Sequence, residues 1–112
     1  MIKTFAIIST IVVLTGCGET ELSVKQKQDL WVEVGKDAVL QKLKDGESAK
    51  FQNVYFNKSA KGVPVTCGEV TSKNSFGAYT GYQKFISAGK PELTFLQEEV
   101  EDFHVSWNSF CV

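Results

Sequence analysis

An apolar run near the start of the chain most limits what this sequence can fold into. Phe5–Leu14 contains only two polar residues and follows a single positive charge, Lys3. A helix that crosses a bilayer needs about 20 apolar residues, so this run is too short to span one and has the length of a secretory signal core. We therefore predict that residues 1–16 are a signal peptide and that the folded domain lies outside the cytosol.

The end of this run carries a short motif. Leu14-Thr15-Gly16-Cys17 resembles the lipobox of bacterial lipoproteins. The resemblance implies that the Cys17 thiol takes a diacylglycerol and that the signal peptide is cut off immediately before Cys17. It also implies that acyl chains anchor the protein to a membrane. In the sorting rule of such proteins, Gly18 after the lipidated cysteine implies the outer membrane, facing the periplasm of a Gram-negative bacterium. A Gram-positive surface, an uncleaved signal anchor and a secretory peptide without lipid are the alternatives.

The chain has three cysteines. If Cys17 is lipidated, two cysteines remain, Cys67 and Cys111. In an oxidising compartment two such cysteines are expected to form one disulfide. Such a bond would contribute roughly 4 kcal/mol by the chain-entropy estimate. Two free thiols, or zinc ligation together with His104, are the alternatives. Because neither a CxxC nor an HxxxH pair occurs, we expect no metal and no other cofactor.

Apolar periodicity and turn residues predict a single α+β domain over residues 24–112, joined to the lipid by a tether over residues 17–23. An amphipathic helix with Ser23 as its N-cap is expected first, and Gly35 inside it predicts a kink or the close approach of a strand. We expect both helices on one face of a three- to four-stranded antiparallel sheet. The predicted elements are the helix Val24–Lys44, strands at Phe51–Phe56, Val63–Thr71, Tyr79–Ser87 and Leu93–Leu96, and a short helix from about Glu98, whose first turn holds the acidic run Glu98–Asp102.

The segment between the second and third strands is the main candidate binding site. It combines polar side chains, which offer hydrogen bonds, with tyrosines, which are rigid anchors. In the alternative interpretation, Asn74 and Gly77 take left-handed backbone angles for a turn, Glu69 bonds backbone amides, and the tyrosines only pack. The candidate residues are Glu69, Ser72, Lys73, Asn74, Ser75, Tyr79 and Tyr82.

Residue patterns typical of enzymes and nucleic-acid binders are missing from the sequence. There is no phosphate-binding glycine loop, nucleophile elbow or metal motif, and His104 has no evident catalytic partner. Trp31 and Trp107 lie on apolar helical positions, where core packing is expected and a binding platform is the alternative. All basic residues are lysines and the net charge is −1, which argues against nucleic-acid binding. We therefore expect a non-catalytic protein.

Two longer stretches resemble known proteins. Leu43–Val54 is similar to an S-A-x-F motif that leads into a first strand, and Val65–Phe85 is similar to a C-G-E-V…K-N-S-x-G-x-Y-x-G-Y-x-x-F core motif. Both motifs are found in small exported or lipid-anchored proteins of proteobacteria and their prophages. Ser75–Tyr79 and Phe85–Gly89 resemble, more loosely, the inhibitory region of membrane-bound lysozyme inhibitors. The expected function is an envelope lipoprotein whose loop binds a protein. The alternatives are a periplasmic inhibitor or immunity protein, and a prophage-encoded superinfection-exclusion lipoprotein.

Overall fold

The computed structural model describes residues 22–112, so the predicted signal peptide, the lipidated Cys17 and most of the tether lie outside the described residues. It has the predicted α+β fold, with four antiparallel strands between two helices in the chain. Three short 3₁₀ turns, at Gly46–Ser48, Pro91–Leu93 and Gln97–Glu99, connect these elements. The helices and strands are α1 (Val24–Lys42), β1 (Lys50–Lys58), β2 (Pro64–Thr71), β3 (Gln83–Ser87), β4 (Thr94–Leu96) and α2 (Phe103–Phe110).

The first helix begins with the predicted cap. The hydroxyl of Ser23 accepts a hydrogen bond from the Gln26 N–H at 3.1 Å, and the Gln26 side chain accepts one from the Ser23 N–H at 2.8 Å. This reciprocal capping box satisfies two N–H groups that a helix start otherwise leaves unpaired. The helix ends two residues earlier than predicted because Leu43 adopts extended backbone angles.

Gly35 lies where α1 crosses the sheet. A Cβ atom built on Gly35 would stand only 2.5 Å from the Thr66 hydroxyl oxygen. That hydroxyl donates a hydrogen bond to the Trp31 carbonyl at 3.1 Å, which ties β2 to the helix backbone. The close approach of a strand, one of the two predicted reasons for this glycine, is therefore the observed one.

The two helices cover opposite faces of the sheet, so the prediction that they share one face is wrong. Alternate residues of a strand point to opposite sides. Val70 and Phe85 pack with Val39 of α1, whereas Cys67 and Ile86 pack with α2. Both faces of the central strands carry apolar residues, which a sheet covered on only one face would not need.

The second helix is fastened to the sheet by the disulfide Cys67–Cys111, which confirms the predicted pairing. Tyr55 donates its hydroxyl to the Cys111 carbonyl at 2.7 Å, adding a hydrogen bond from β1. The helix starts later than predicted, at Phe103, because Asp102 has a left-handed backbone with φ 55°. The acidic run Glu98–Asp102 consequently precedes α2 and is not its first turn.

No helix within residues 22–112 combines the length and the apolar content that crossing a membrane requires.

Candidate binding loop

The predicted site falls on an exposed connection between β2 and β3, residues 72–82, which we call the tip loop. The third strand was predicted to begin at Tyr79, but β3 begins at Gln83. Gly81 has φ +98°, a backbone angle that an extended strand does not use, so the chain turns before it enters the sheet. Tyr79 and Tyr82 therefore belong to the loop and are about half exposed, at 41% and 45%.

Asn74 builds the turn of the tip loop. Its side-chain oxygen accepts hydrogen bonds from the N–H groups of Phe76 at 2.9 Å and Ala78 at 3.1 Å. Its own N–H donates to the Ala78 carbonyl at 2.8 Å. Gly77 has the predicted left-handed angle, φ +80°, but Asn74 does not, so that part of the prediction is wrong. Asn74 acts through its side chain, as an Asx turn.

The base of the tip loop is braced by the 3₁₀ turn after α1. Tyr79 donates its hydroxyl to the Ser48 carbonyl at 2.9 Å. The N–H of Lys73 donates to the Ser48 hydroxyl at 2.8 Å, and Lys73 and Tyr79 form a β-bridge across the loop. Both sides of the loop are thus fixed to one neighbouring element, so the loop has a defined shape.

Two lysines surround the Tyr79 ring. The ammonium nitrogen of Lys50 lies 4.5 Å from the ring centroid and that of Lys73 lies 5.7 Å from it. Attraction between these cations and the ring face contributes about 0.5–1 kcal/mol at exposed sites. The result is a positively charged collar below the tip of the loop.

The most exposed large apolar side chain of the described residues is Phe76, at the tip of this loop, with 94% of its surface accessible. Sequence reasoning did not select it, since only the polar residues and tyrosines around it were singled out. Its neighbour Ser75 is also exposed, and Ser72 is half-buried at the loop base. An aromatic residue between an Asx turn and a turn glycine is the signal that could have identified it.

Glu69 lies in β2, before the tip loop, and does not bond the backbone amides that the structural interpretation predicted. Its carboxylate accepts hydrogen bonds from the side-chain amides of Gln52 at 3.0 Å and Asn53 at 2.8 Å. Asn53 has φ 54° at the irregularity in the β1–β2 pairing. Glu69 therefore holds this β-bulge together and bonds side-chain amides, not the backbone amides predicted.

A polar depression of 280 Å³ lies between the tip loop and the end of α1. At its edge, Lys42 pairs with Glu99 at 2.8 Å and also donates to the Thr94 carbonyl. Within residues 22–112, no group of three or more His, Cys, Asp or Glu side chains is arranged to hold a metal ion. His104 is exposed on α2, outside this depression.

The two tryptophans lie against opposite faces of the sheet. Trp107 packs on Phe103 and meets Tyr55 edge to face, and the Lys84 ammonium lies 4.7 Å from the centroid of its ring. Trp31 faces Gly89 from α1. Both contribute to packing, as expected for aromatic residues on apolar helical positions.

The tip loop and the region where the described chain begins lie at opposite ends of the molecule. β2 starts at the hairpin that contacts the first turns of α1 and ends at the tip loop, one strand length away. A rigid loop with an exposed aromatic tip and a cationic collar offers a contact surface. No family model, no curated protein and no solved structure matches this chain, so any function has to be argued from these residues alone.

Proposed function

We propose that this protein is a non-catalytic bacterial envelope lipoprotein whose tip loop binds a protein partner. The observation that carries the proposal is Phe76, exposed over 94% of its surface on a loop with a defined shape. Water-exposed apolar surface is unfavourable in a free protein, and aromatic anchors on rigid supports dominate many interfaces. Because the turn is already ordered by Asn74, little conformational entropy is lost when a partner covers it.

Membrane attachment is the second part of the proposal. It rests on the lipobox resemblance at Leu14–Cys17, which lies outside the described residues. The position of the tip loop supports it, because α1, 19 residues and about 28 Å long, separates the loop from the chain entry at residue 22. An anchor before residue 22 would attach at the opposite end of the domain from Phe76, so it would leave Phe76 accessible to a protein partner.

Photo-crosslinking in intact cells tests the proposal. A benzoyl-phenylalanine placed at Phe76 is expected to give one discrete protein adduct. The matched control is the same probe at Val105, which is 57% exposed on α2 and outside the loop, and it should give none. The adduct should disappear when Asn74→Ala removes the turn, with the protein level unchanged. Equal labelling from both positions, or an adduct that survives Asn74→Ala, would refute a loop-specific partner.

Inhibition of a wall hydrolase is a second candidate for the same loop. The stretch Ser75–Tyr79, which resembles the inhibitory region of membrane-bound lysozyme inhibitors, is exposed and runs from the tip of the loop to its base. If lysozyme is the partner, the purified protein should slow lysis of a cell-wall suspension, and Phe76→Ser should abolish the effect. Unaltered lysis at a stoichiometric excess of the protein would discard this version and leave the search for another partner open.

A further inference from the structure

The end of the molecule opposite the tip loop has an unusual charge composition. Two segments meet there, residues 22–28 at the start of α1 and residues 58–64 at the β1–β2 hairpin, and we call them together the basic end. They contain four lysines and not one aspartate or glutamate. Lys25 is paired with Asp29 at 3.3 Å, but within the described residues Lys27, Lys58 and Lys61 take part in no ion pair. Among residues 22–112, three positive charges at this end therefore have no ion-pair partner.

Exposed apolar side chains accompany these lysines. Val24 is 72% exposed, Leu22 46% and Val63 38%. Between α1 and the hairpin lies a mostly apolar groove of 430 Å³, and Trp31, Lys27 and Lys58 are among the residues that line it. The indole N–H of Trp31 is buried and has no hydrogen-bond acceptor within residues 22–112. Apolar side chains among unpaired lysines are typical of surfaces that lie at the headgroup level of a bilayer.

We propose that the basic end docks onto the surface of an anionic phospholipid bilayer. Lys27, Lys58 and Lys61 would lie at the level of the lipid phosphates, because each basic residue near such a surface is attracted to it. Val24 and Val63 would enter the boundary between headgroups and acyl chains. The charge complementarity favours this occupant, and so does the chain itself, which leads from residue 22 at this same end back to Cys17, the proposed site of the lipid anchor.

This docking would fix the orientation of the domain relative to the membrane, which the proposed function does not address. A flexible tether alone would let the domain tumble, whereas contact of the basic end with lipid points the tip loop away from the membrane. The inference does not depend on the tip loop having a protein partner, so the two proposals can fail separately.

Lysine footprinting of the full chain in vesicles tests the docking. The protein is reconstituted into phosphatidylcholine vesicles, with or without phosphatidylglycerol, and acetylation rates of individual lysines are read by mass spectrometry. Lys58 and Lys61 should react roughly five-fold more slowly in the anionic vesicles, the ratio that corresponds to about 1 kcal/mol per basic residue at such a surface. Lys44, exposed just after α1 at the other end, should react equally in both.

Salt and matched variants complete the test. High salt should remove the protection, because the Debye length falls from about 10 Å at 0.1 M to about 3 Å at 1 M. Lys61→Glu should weaken the protection of Lys27 and Lys58, whereas Lys44→Glu, with the same change of charge, should leave it intact. Equal rates in both lipid compositions would overturn the proposal. If the lysines are equally protected in both compositions relative to the protein in detergent, the proposal is likewise overturned and a second copy of the chain covers this face.

Discussion

Gly35 allows α1 to lie against β2, and its substitution tests how closely the two are packed. Gly35→Ala adds a Cβ that would stand 2.5 Å from the Thr66 hydroxyl oxygen. To relieve this contact, the backbone of α1 or of β2 would have to move. The gain in helix propensity is about 1 kcal/mol, while overpacking costs typically 1–3 kcal/mol or more. We expect a net loss of stability in urea unfolding. Gln41→Ala on the exposed side of the same helix is the control and should stay within about 0.5 kcal/mol of wild type. A stabilised Gly35→Ala would contradict the packing argument.

We expect Tyr55 to make the protein less stable at alkaline pH. Burial raises the pKa of its hydroxyl above the ordinary value of 10.0. In the unfolded chain this hydroxyl loses its proton near pH 10, whereas the folded form retains it to higher pH. Stability from this group is therefore fully present below pH 10 and is lost as the pH rises above it. Thermal unfolding between pH 8 and pH 11 should show a decline that is shallower in Tyr55→Phe.

Tyr55→Phe has a second, independent effect. It removes the hydrogen bond to the Cys111 carbonyl, so it should be less stable than wild type at pH 7 by about 1 kcal/mol. The two melting curves are thus expected to approach each other as the pH rises. Parallel curves over the whole range would show that Tyr55 does not carry the alkaline sensitivity. Tyr82→Phe, in the exposed tip loop, is the matched control.

At the scale of elements, α2 depends on its disulfide. A helix of eight residues is too short to be stable alone, so packing and the bond to Cys67 have to hold it. Replacing both Cys67 and Cys111 by serine is expected to lower the free energy of unfolding by roughly 4 kcal/mol. Hydrogen exchange should then speed up first in residues 103–110, while α1 stays protected. Uniform acceleration across the chain would contradict a locally fastened helix.

The sequence allowed the elements and the disulfide to be predicted but not their arrangement in space. Ser23 and the apolar spacing identified α1, because capping and periodicity are local. The helices were expected on one face, although the central strands carry apolar residues on both faces, because no local pattern states which face a particular distant helix covers. β3 was predicted too long because the alternation from Tyr79 onwards resembles a strand, and only the left-handed Gly81 breaks it. Phe76 was missed for a related reason: its exposure depends on how Asn74 folds the loop.

At the scale of the whole molecule, the two ends have different surfaces. The basic end carries lysines and aliphatic side chains, and the tip loop carries an aromatic residue above a cationic collar. Because β2 joins the two, with the hairpin before it and the tip loop after it, they lie one strand length apart, and both can touch one bilayer only if the domain lies flat on it. In the two proposals taken together, the length of β2 separates the end that would contact lipid from the end that would bind a protein.

Energy transfer to a dye in the bilayer measures this separation directly. A fluorophore on a non-natural residue at position 61 or 76 is followed in the full chain on phosphatidylglycerol-containing vesicles. Position 76 should lie farther from the membrane dye by about 26 Å, the length of the eight residues of β2 at about 3.3 Å each. Transfer from position 61 should therefore be much stronger. Equal transfer from both positions would show that the domain tumbles on its tether or lies flat, and neither arrangement would hold Phe76 away from the membrane for a partner to reach.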